Sequence, residues 1–273
     1  MKLPTTPQEP NLSPTAFKWL IMAESGMGKS SFLASVPNIL ITDPDTGCQA
    51  LPGYIIQVRN WLDCKDLLKT LRQEDKTAYS WIGIDLLNVI YEFCYSHECR
   101  RMGVVYPSDL DGGKGHGKGW AIITNEFIAW LRDMGNLGLP LIGTCHVNMI
   151  EVEIKARKFL KATPSFVGSG ATSTYRKIKE AFDIVGYLTF DTDMQKVEQQ
   201  KDLRKEIAPG ATMIGLTDRQ MPEFSTTRVI HFQPSQYWDA QDTSRQLPAK
   251  ITLSEEWSED WSKIQQAWKG KEW

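Results

Sequence analysis

The chain has 273 residues, 41% of them hydrophobic and 23% charged, which excludes a low-complexity or disordered protein and supplies enough apolar material for a real core. A net charge of −2 excludes a grossly basic nucleic-acid coat protein, though not a local basic surface. No apolar run approaches the ~18 residues of a membrane span, and the N-terminal stretch holds prolines and no apolar signal region, so the expectation is no membrane partner and a cytoplasmic location.

Residues 1–14 read as a flexible N-terminal arm. A first strand near Phe17–Met22 leads into Ala23-Glu24-Ser25-Gly26-Met27-Gly28-Lys29-Ser30, followed by a helix to about Ser35. The stretch fits the phosphate-loop pattern G-x-x-x-x-G-K-[ST] at Gly28, Lys29 and Ser30, with Ala23 in place of the first glycine. Gly26 and Gly28 allow positive φ and close approach of backbone amides to phosphate oxygens, and the helix start favours an anion. Residues Glu24, Ser25, Gly26, Met27, Gly28, Lys29, Ser30 and Ser31 are therefore the expected nucleotide cradle, for ATP with Mg2+. Lys29 neutralises the β- and γ-phosphates, and the Ser30 hydroxyl is placed to hold the metal.

Pro37 and Asn38 break this helix, and Ile39–Thr42 is a short, buried, parallel-type strand. It ends in Asp43-Pro44-Asp45-Thr46-Gly47, two carboxylates at the C-terminal edge where open α/β sheets bind ligands, or else an ordinary Asp/Pro/Gly turn. Tyr54–Val58 is a third strand, followed by a helix from about Asp63 to Arg72. Tyr79–Asp85 ends in a Walker-B-like aspartate, Asp85, which together with Ser30 would hold Mg2+. A helix follows from Leu87 to about Arg101. The segment Tyr106–Gly119, dense in glycine and carrying Lys114, His116 and Lys118, reads as a loop, and Trp120–Gly135 as an amphipathic helix. Pro140–His146 is another buried strand whose tip, with Thr144 and His146, is a candidate γ-phosphate sensor.

The next stretch is locally basic, with Lys155, Arg157, Lys158 and Lys161 interleaved with Phe159 and Phe166. It suits either a DNA-binding loop that tracks phosphates and stacks bases, or a solvated hairpin with lysines on its edge. A short helix over Tyr175–Phe182 and a strand over Ile184–Phe190 come before a polar segment, 191–222, read as a possible insertion. Arg228–Phe232 closes the sheet and Lys250–Leu253 is a last strand-like piece. Four of the ten tryptophans fall in residues 254–273, where Trp257, Trp261, Ile264 and Trp268 form an amphipathic stripe that docks on the core or, in the alternative, on a protein partner. The five cysteines form no disulfide framework, and Cys94, His97 and Cys99 lack a second ligand pair for zinc.

With these pieces in order, the chain resembles the phage-encoded RecA-core P-loop ATPases, the recombinase-like or single-strand-annealing-associated AAA proteins of bacteriophages. WLIMAESGMGKSSF, ILITDPDTG, WIGIDLL, GKGHGKGW, LIGTCHV, EAFDIVGYL and RVIHFQPSQYWDAQDTSRQLP carry the likeness. The resemblance implies an α/β, RecA-like P-loop NTPase core over 15–253, with a mainly parallel central sheet flanked by helices. It implies a DNA-stimulated Mg-ATPase that acts on single-stranded DNA in recombination or annealing, assembled as a homo-oligomeric ring or filament. Residue by residue, it places the water-polarising acid at Asp45, shorter than the family's more frequent Glu. It also places the Walker B carboxylate at Asp85, the sensing strand tip at His146, and at Arg228 a cation presented to a nucleotide, sometimes across a subunit boundary. Two other functions stay open: a nucleotide-gated DNA-binding or assembly module with little turnover, and an accessory ATPase working on a protein partner.

Overall fold

The computed structural model describes residues 3, 5–7, 9–111, 117–154, 157–167, 173–191 and 227–269, and the strand that feeds the phosphate loop lies inside its sheet. Strand β1 (Trp19–Ala23) is buried along its whole length. Its side chains alternate, Trp19, Ile21 and Ala23 entering one core and Leu20 and Met22 the other, as a strand covered on both faces requires. On one flank β1 pairs in parallel with β5 (Leu141–Ile154), followed by β4 (Trp81–Ile84), β2 (Ile39–Asp43) and β3 (Tyr54–Gln57), all parallel. On the other flank comes parallel β7 (Ile184–Phe190), then antiparallel β8 (Arg228–His231) and β10 (Lys250–Thr252). The two-residue β9 (Gln241–Asp242) also pairs with β7. The sheet is mainly parallel and flanked by helices, with β5 interposed between the phosphate-loop strand and acidic strand β4, as expected of the mainly parallel α/β core.

Helices α2 (Trp61–Gln73), α3 (Leu87–Met102), α4 (Lys118–Gly135) and α5 (Thr174–Glu180) cover one face, burying Trp61, Ile90, Phe127 and Ile178 there. Helix α2 starts where the Asn60 side chain accepts from the amides of Leu62 and Asp63, a local cap that fixes its first turn. The opposite face is covered by α1 (Lys29–Ala34) and α6 (Asp260–Ala267). Trp261 of α6 meets the rings of Trp19, Phe32 and Trp81 at 5.5, 6.0 and 5.2 Å. Such contacts are each worth roughly 0.5–1.5 kcal/mol beyond the area they bury. Among the described residues no helix is long and apolar enough to cross a membrane.

Several boundaries differ from those read in the sequence. Helix α4 starts at Lys118, so Lys118 and Gly119 are helical rather than in a loop. Gly119 is required by packing: a Cβ there would lie 2.2 Å from the carbonyl oxygen of Pro107. Lys114 and His116 lie outside the described residues. Strand β5 does not stop at His146 but runs on to Ile154 and folds back as β6 (Arg157–Pro164), so the basic stretch forms a hairpin, one of the two readings of the sequence. Strand β8 does not close the sheet, because β10 pairs outside it. In the tail, Trp257 belongs to a 3-10 turn (Trp257–Glu259) and helix α6 begins only at Asp260. Trp261, Ile264 and Trp268 are buried in the core. Residues 192–222 and Trp273 lie outside the described residues.

Candidate functional site

Register decides what meets at the C-terminal edge of the parallel strands. Ala23 pairs with His146, Thr42 with Ile84 and Ile84 with Gly143. The residues that follow, the phosphate loop after β1, Asp43 and Asp45 after β2, and Asp85 after β4, therefore converge on one edge with the tip of β5.

In the loop, Gly26 and Gly28 have φ of 80° and 87°, the left-handed region that the motif's glycines supply. Glu24, Ser25 and Gly26 are exposed, whereas the Met27 side chain is buried in the core beneath and anchors the loop from below. Ser30 and Ser31 lie in the first turn of α1. Lys29 is buried at 6% exposure and, among the described residues, has no carboxylate in hydrogen-bond contact. Its Nζ donates to the carbonyls of Ala23 (3.2 Å) and Glu24 (2.8 Å) and to Nδ1 of His146 (3.1 Å). Burial lowers its pKa, opposed by the charges of Asp85 and Asp45. A buried ammonium held only by neutral acceptors is an incompletely compensated cation, the condition an incoming polyphosphate relieves.

His146 joins this cation to the rest of the site. Its Nδ1 accepts from Lys29, its backbone N–H donates to Oδ1 of Asn88 at 3.1 Å, and burial followed by the Lys29 charge lowers its pKa. With Nδ1 accepting from the Lys29 ammonium, a neutral His146 ring carries its N–H on Nε2.

Asp85 is 1% exposed and gripped at both oxygens. Thr144, fully buried on β5, donates its hydroxyl to Oδ1 and also contacts the carbonyl of Ile84 at 3.3 Å. The Cys48 thiol donates to Oδ2 at 3.4 Å, and its Sγ also engages the Ser30 side chain. The Cys48 amide is in turn fixed by Asp43, whose carboxylate accepts from Gly47 N–H (3.1 Å) and Cys48 N–H (3.2 Å) and is pushed up in pKa by burial. Asp43 is thus the turn's internal cap. Asp45 is exposed, accepts from Gly47 N–H at 3.3 Å, and lies close enough for its charge to act on both Lys29 and His146. Sequence reasoning named Asp43, Asp45, Asp85, Thr144 and His146 but had no local signal for Cys48 or Asn88, which enter only through tertiary pairing. Ser30 and Asp85 suit Mg2+: a hydroxyl and a buried carboxylate tied together through Cys48 are hard oxygen donors, and this ion takes few protein ligands beside phosphate oxygens and water.

Arg228 also reaches this edge, from within its own chain. A Cβ on Gly28 would lie 3.2 Å from its Nη1. The guanidinium forms a bidentate pair with Asp260 of α6 (2.8 and 3.0 Å) and donates to Ser254 O at 2.8 Å. Burial outweighs Arg228 and raises the Asp260 carboxyl to about 6. In this chain the guanidinium that the resemblance assigns to a nucleotide is held by Asp260 and Ser254 beside the phosphate loop. The expected DNA contacts change too. Lys161 is ion-paired with Asp239 at 2.8 Å, and Lys158 with Glu151 at 2.7 Å. Phe166 packs in the core against Tyr91 and Phe127. Lys155 and the side chain of Arg157 lie outside the described residues.

A family model described as an AAA domain matches residues 15–244. Among solved structures, the chain is similar to the crystal structure of the RadB recombinase, at 9% identity and a TM-score of 0.41 over 89% of each chain. No curated protein matches it.

Proposed function

Because the chain belongs to this AAA-domain family, we propose that it is an ATPase that binds Mg-ATP and acts on single-stranded DNA in phage recombination or annealing. One observation carries the reading: Lys29 of the phosphate loop contacts His146, and the strand bearing His146 continues unbroken into the β5–β6 hairpin beyond the sheet. A change at the phosphates therefore has a direct covalent route to a projecting surface element.

In this reading the amides of residues 24–31 and Lys29 bind the phosphates, while Ser30 and Asp85 hold Mg2+. When bound, Mg2+ supplies charge neutralisation at the phosphate oxygens. Asp45 orients the attacking water, His146 senses the terminal phosphate, and Arg228 stiffens the loop from behind Gly28 in its own chain. Phosphoryl transfer needs positioned charge more than covalent help, and this edge offers it. A homo-oligomeric ring or filament in the host cytoplasm completes the proposal.

ATP hydrolysis by the purified chain with and without single-stranded DNA tests it. Stimulation by DNA is the expected result; equal rates in both conditions overturn the DNA-linked reading and favour an ATPase acting on a protein partner. A second reading has support in Asp45, whose short exposed carboxylate turns back onto Gly47. A nucleotide-gated binding module with little turnover would show tight Mg-ATP binding and the same slow hydrolysis in wild type and Asp45→Ala.

A further inference from the structure

On the α3 side of His146, helix α3, the start of α4 and the root of the hairpin enclose a groove of about 400 Å3, within the ~300–1,000 Å3 typical of small-ligand sites. Tyr91, Tyr95, Trp120 and Phe166 form its walls. The rings of Tyr95 and Trp120 meet at 5.7 Å and 46°, so they leave a ledge rather than a closed stack. Two asparagines supply polarity. Asn88 spends its Oδ1 on the His146 amide, and Asn148 spends its Oδ1 on the Ser165 hydroxyl at 3.0 Å. Among the described residues neither Nδ2 group has a protein acceptor. Glu92, exposed on α3, adds one carboxylate at the rim.

Aromatic faces select something flat. Two amide donors beside one carboxylate select an edge that carries both acceptors and a donor. A purely apolar side chain would leave both amides unpaired on desolvation, at a cost. An unstacked nucleobase satisfies all three demands at once, and single-stranded nucleic acid presents such bases to aromatic platforms. The hairpin lysines with described side chains are already paired with Asp239 and Glu151, so the backbone-tracking alternative has little to work with there.

We propose that this groove receives one unstacked base of a single-stranded nucleic acid, stacked on Trp120 and hydrogen-bonded by Asn148. The proposal rests on the DNA-linked reading above and adds the subsite that reading lacked. Asn88 then stands between the base and His146, at the boundary with the phosphate site.

The test is anisotropy of a labelled single-stranded oligodeoxynucleotide and of an abasic backbone of equal length, with the full chain and its Trp120→Ala, Trp120→Phe and Asn148→Ala variants. One stacked base is worth roughly 5- to 150-fold. The wild type should prefer the base-bearing strand by at least the lower figure. Trp120→Ala should lose that preference while abasic binding stays unchanged, and Trp120→Phe should keep most of it. Asn148→Ala, on an exposed strand residue, gives the same answer if Trp120→Ala fails to fold. Equal affinity for the two strands, or base preference untouched in both Trp120→Ala and Asn148→Ala, overturns the base site. If DNA still stimulates hydrolysis in either case, the DNA-linked reading stands while the base site falls. If the wild type binds neither strand and DNA does not stimulate hydrolysis, both fall together.

Discussion

Replacing Thr144 with valine removes one hydroxyl from the most enclosed part of the site and keeps the β-branched shape. That hydroxyl is fully buried and donates to Asp85 Oδ1, with a longer contact to the carbonyl of Ile84 at 3.3 Å. A hydrogen bond to a buried charged group contributes about 1.5–3 kcal/mol, and its removal leaves Asp85, among the described residues, with only the weak Cys48 thiol donor to its side chain. We expect Thr144→Val to cost about 2–3 kcal/mol in urea unfolding at unchanged m-value. For a protein of this size that lowers Tm by roughly 4–12 °C. In an Asp85→Ala background the same substitution forfeits only the Ile84 contact, about 0.5–1 kcal/mol. The double-mutant cycle should therefore show about 1–2 kcal/mol of coupling. Equal costs in the two backgrounds would refute the view that Thr144 acts by holding Asp85.

Three further outcomes follow from groups around the same edge. Lys29→Met removes a buried cation with, among the described residues, no carboxylate in hydrogen-bond contact, so stability without nucleotide should hold or rise; saturating Mg-ATP should raise the wild-type melting point and leave the variant's unmoved, since a ligand at 100 times its Kd adds about 2.7 kcal/mol. Gly28→Ala meets both a φ of 87° and the Arg228 guanidinium, and should cost about 1–2 kcal/mol with at least a tenfold loss of nucleotide affinity by calorimetry. Burial depresses His231 to about 4, beneath its unfolded value near 6.5, so the unfolded chain takes up the extra proton and stability is lost as pH falls from 6.5 to 4. His231→Phe, which keeps a ring beside Trp238, should abolish about 2–3 kcal/mol of that loss after allowance for partial solvent screening. Asp260, raised to about 6, works in the opposite sense over much of the same window, so the quantity to read is the variant-minus-wild-type difference at each pH.

The phosphate loop was legible because its chemistry is written in consecutive residues, and the strand ends at Asp43 and Asp85 because buried parallel strands read as short apolar runs ending in polar residues; the same rule stopped β5 at His146, eight residues short of its end at Ile154. What joins those ends is set by register, which no local pattern reveals. Lys29 finding His146, and Cys48 finding Asp85, depend on pairings between segments far apart in the chain. The basic stretch, read as either a loop or a hairpin, was left open for the same reason. The partner that removes Lys161 from the cationic surface, Asp239, lies far along the chain. Around Arg228, no local pattern announced Asp260 as its counter-ion.

Helix α6 has a consequence for how the molecule is made. Trp261 caps Trp19, Phe32 and Trp81, and Asp260 fixes the arginine that backs Gly28. A ribosome delivers these residues long after β1 and α1 have emerged, so until then Trp19, Phe32 and Trp81 lack the ring that packs across them. A nascent chain halted before Asp260 would show chaperones an aromatic face where the finished protein has a floor for its phosphate loop.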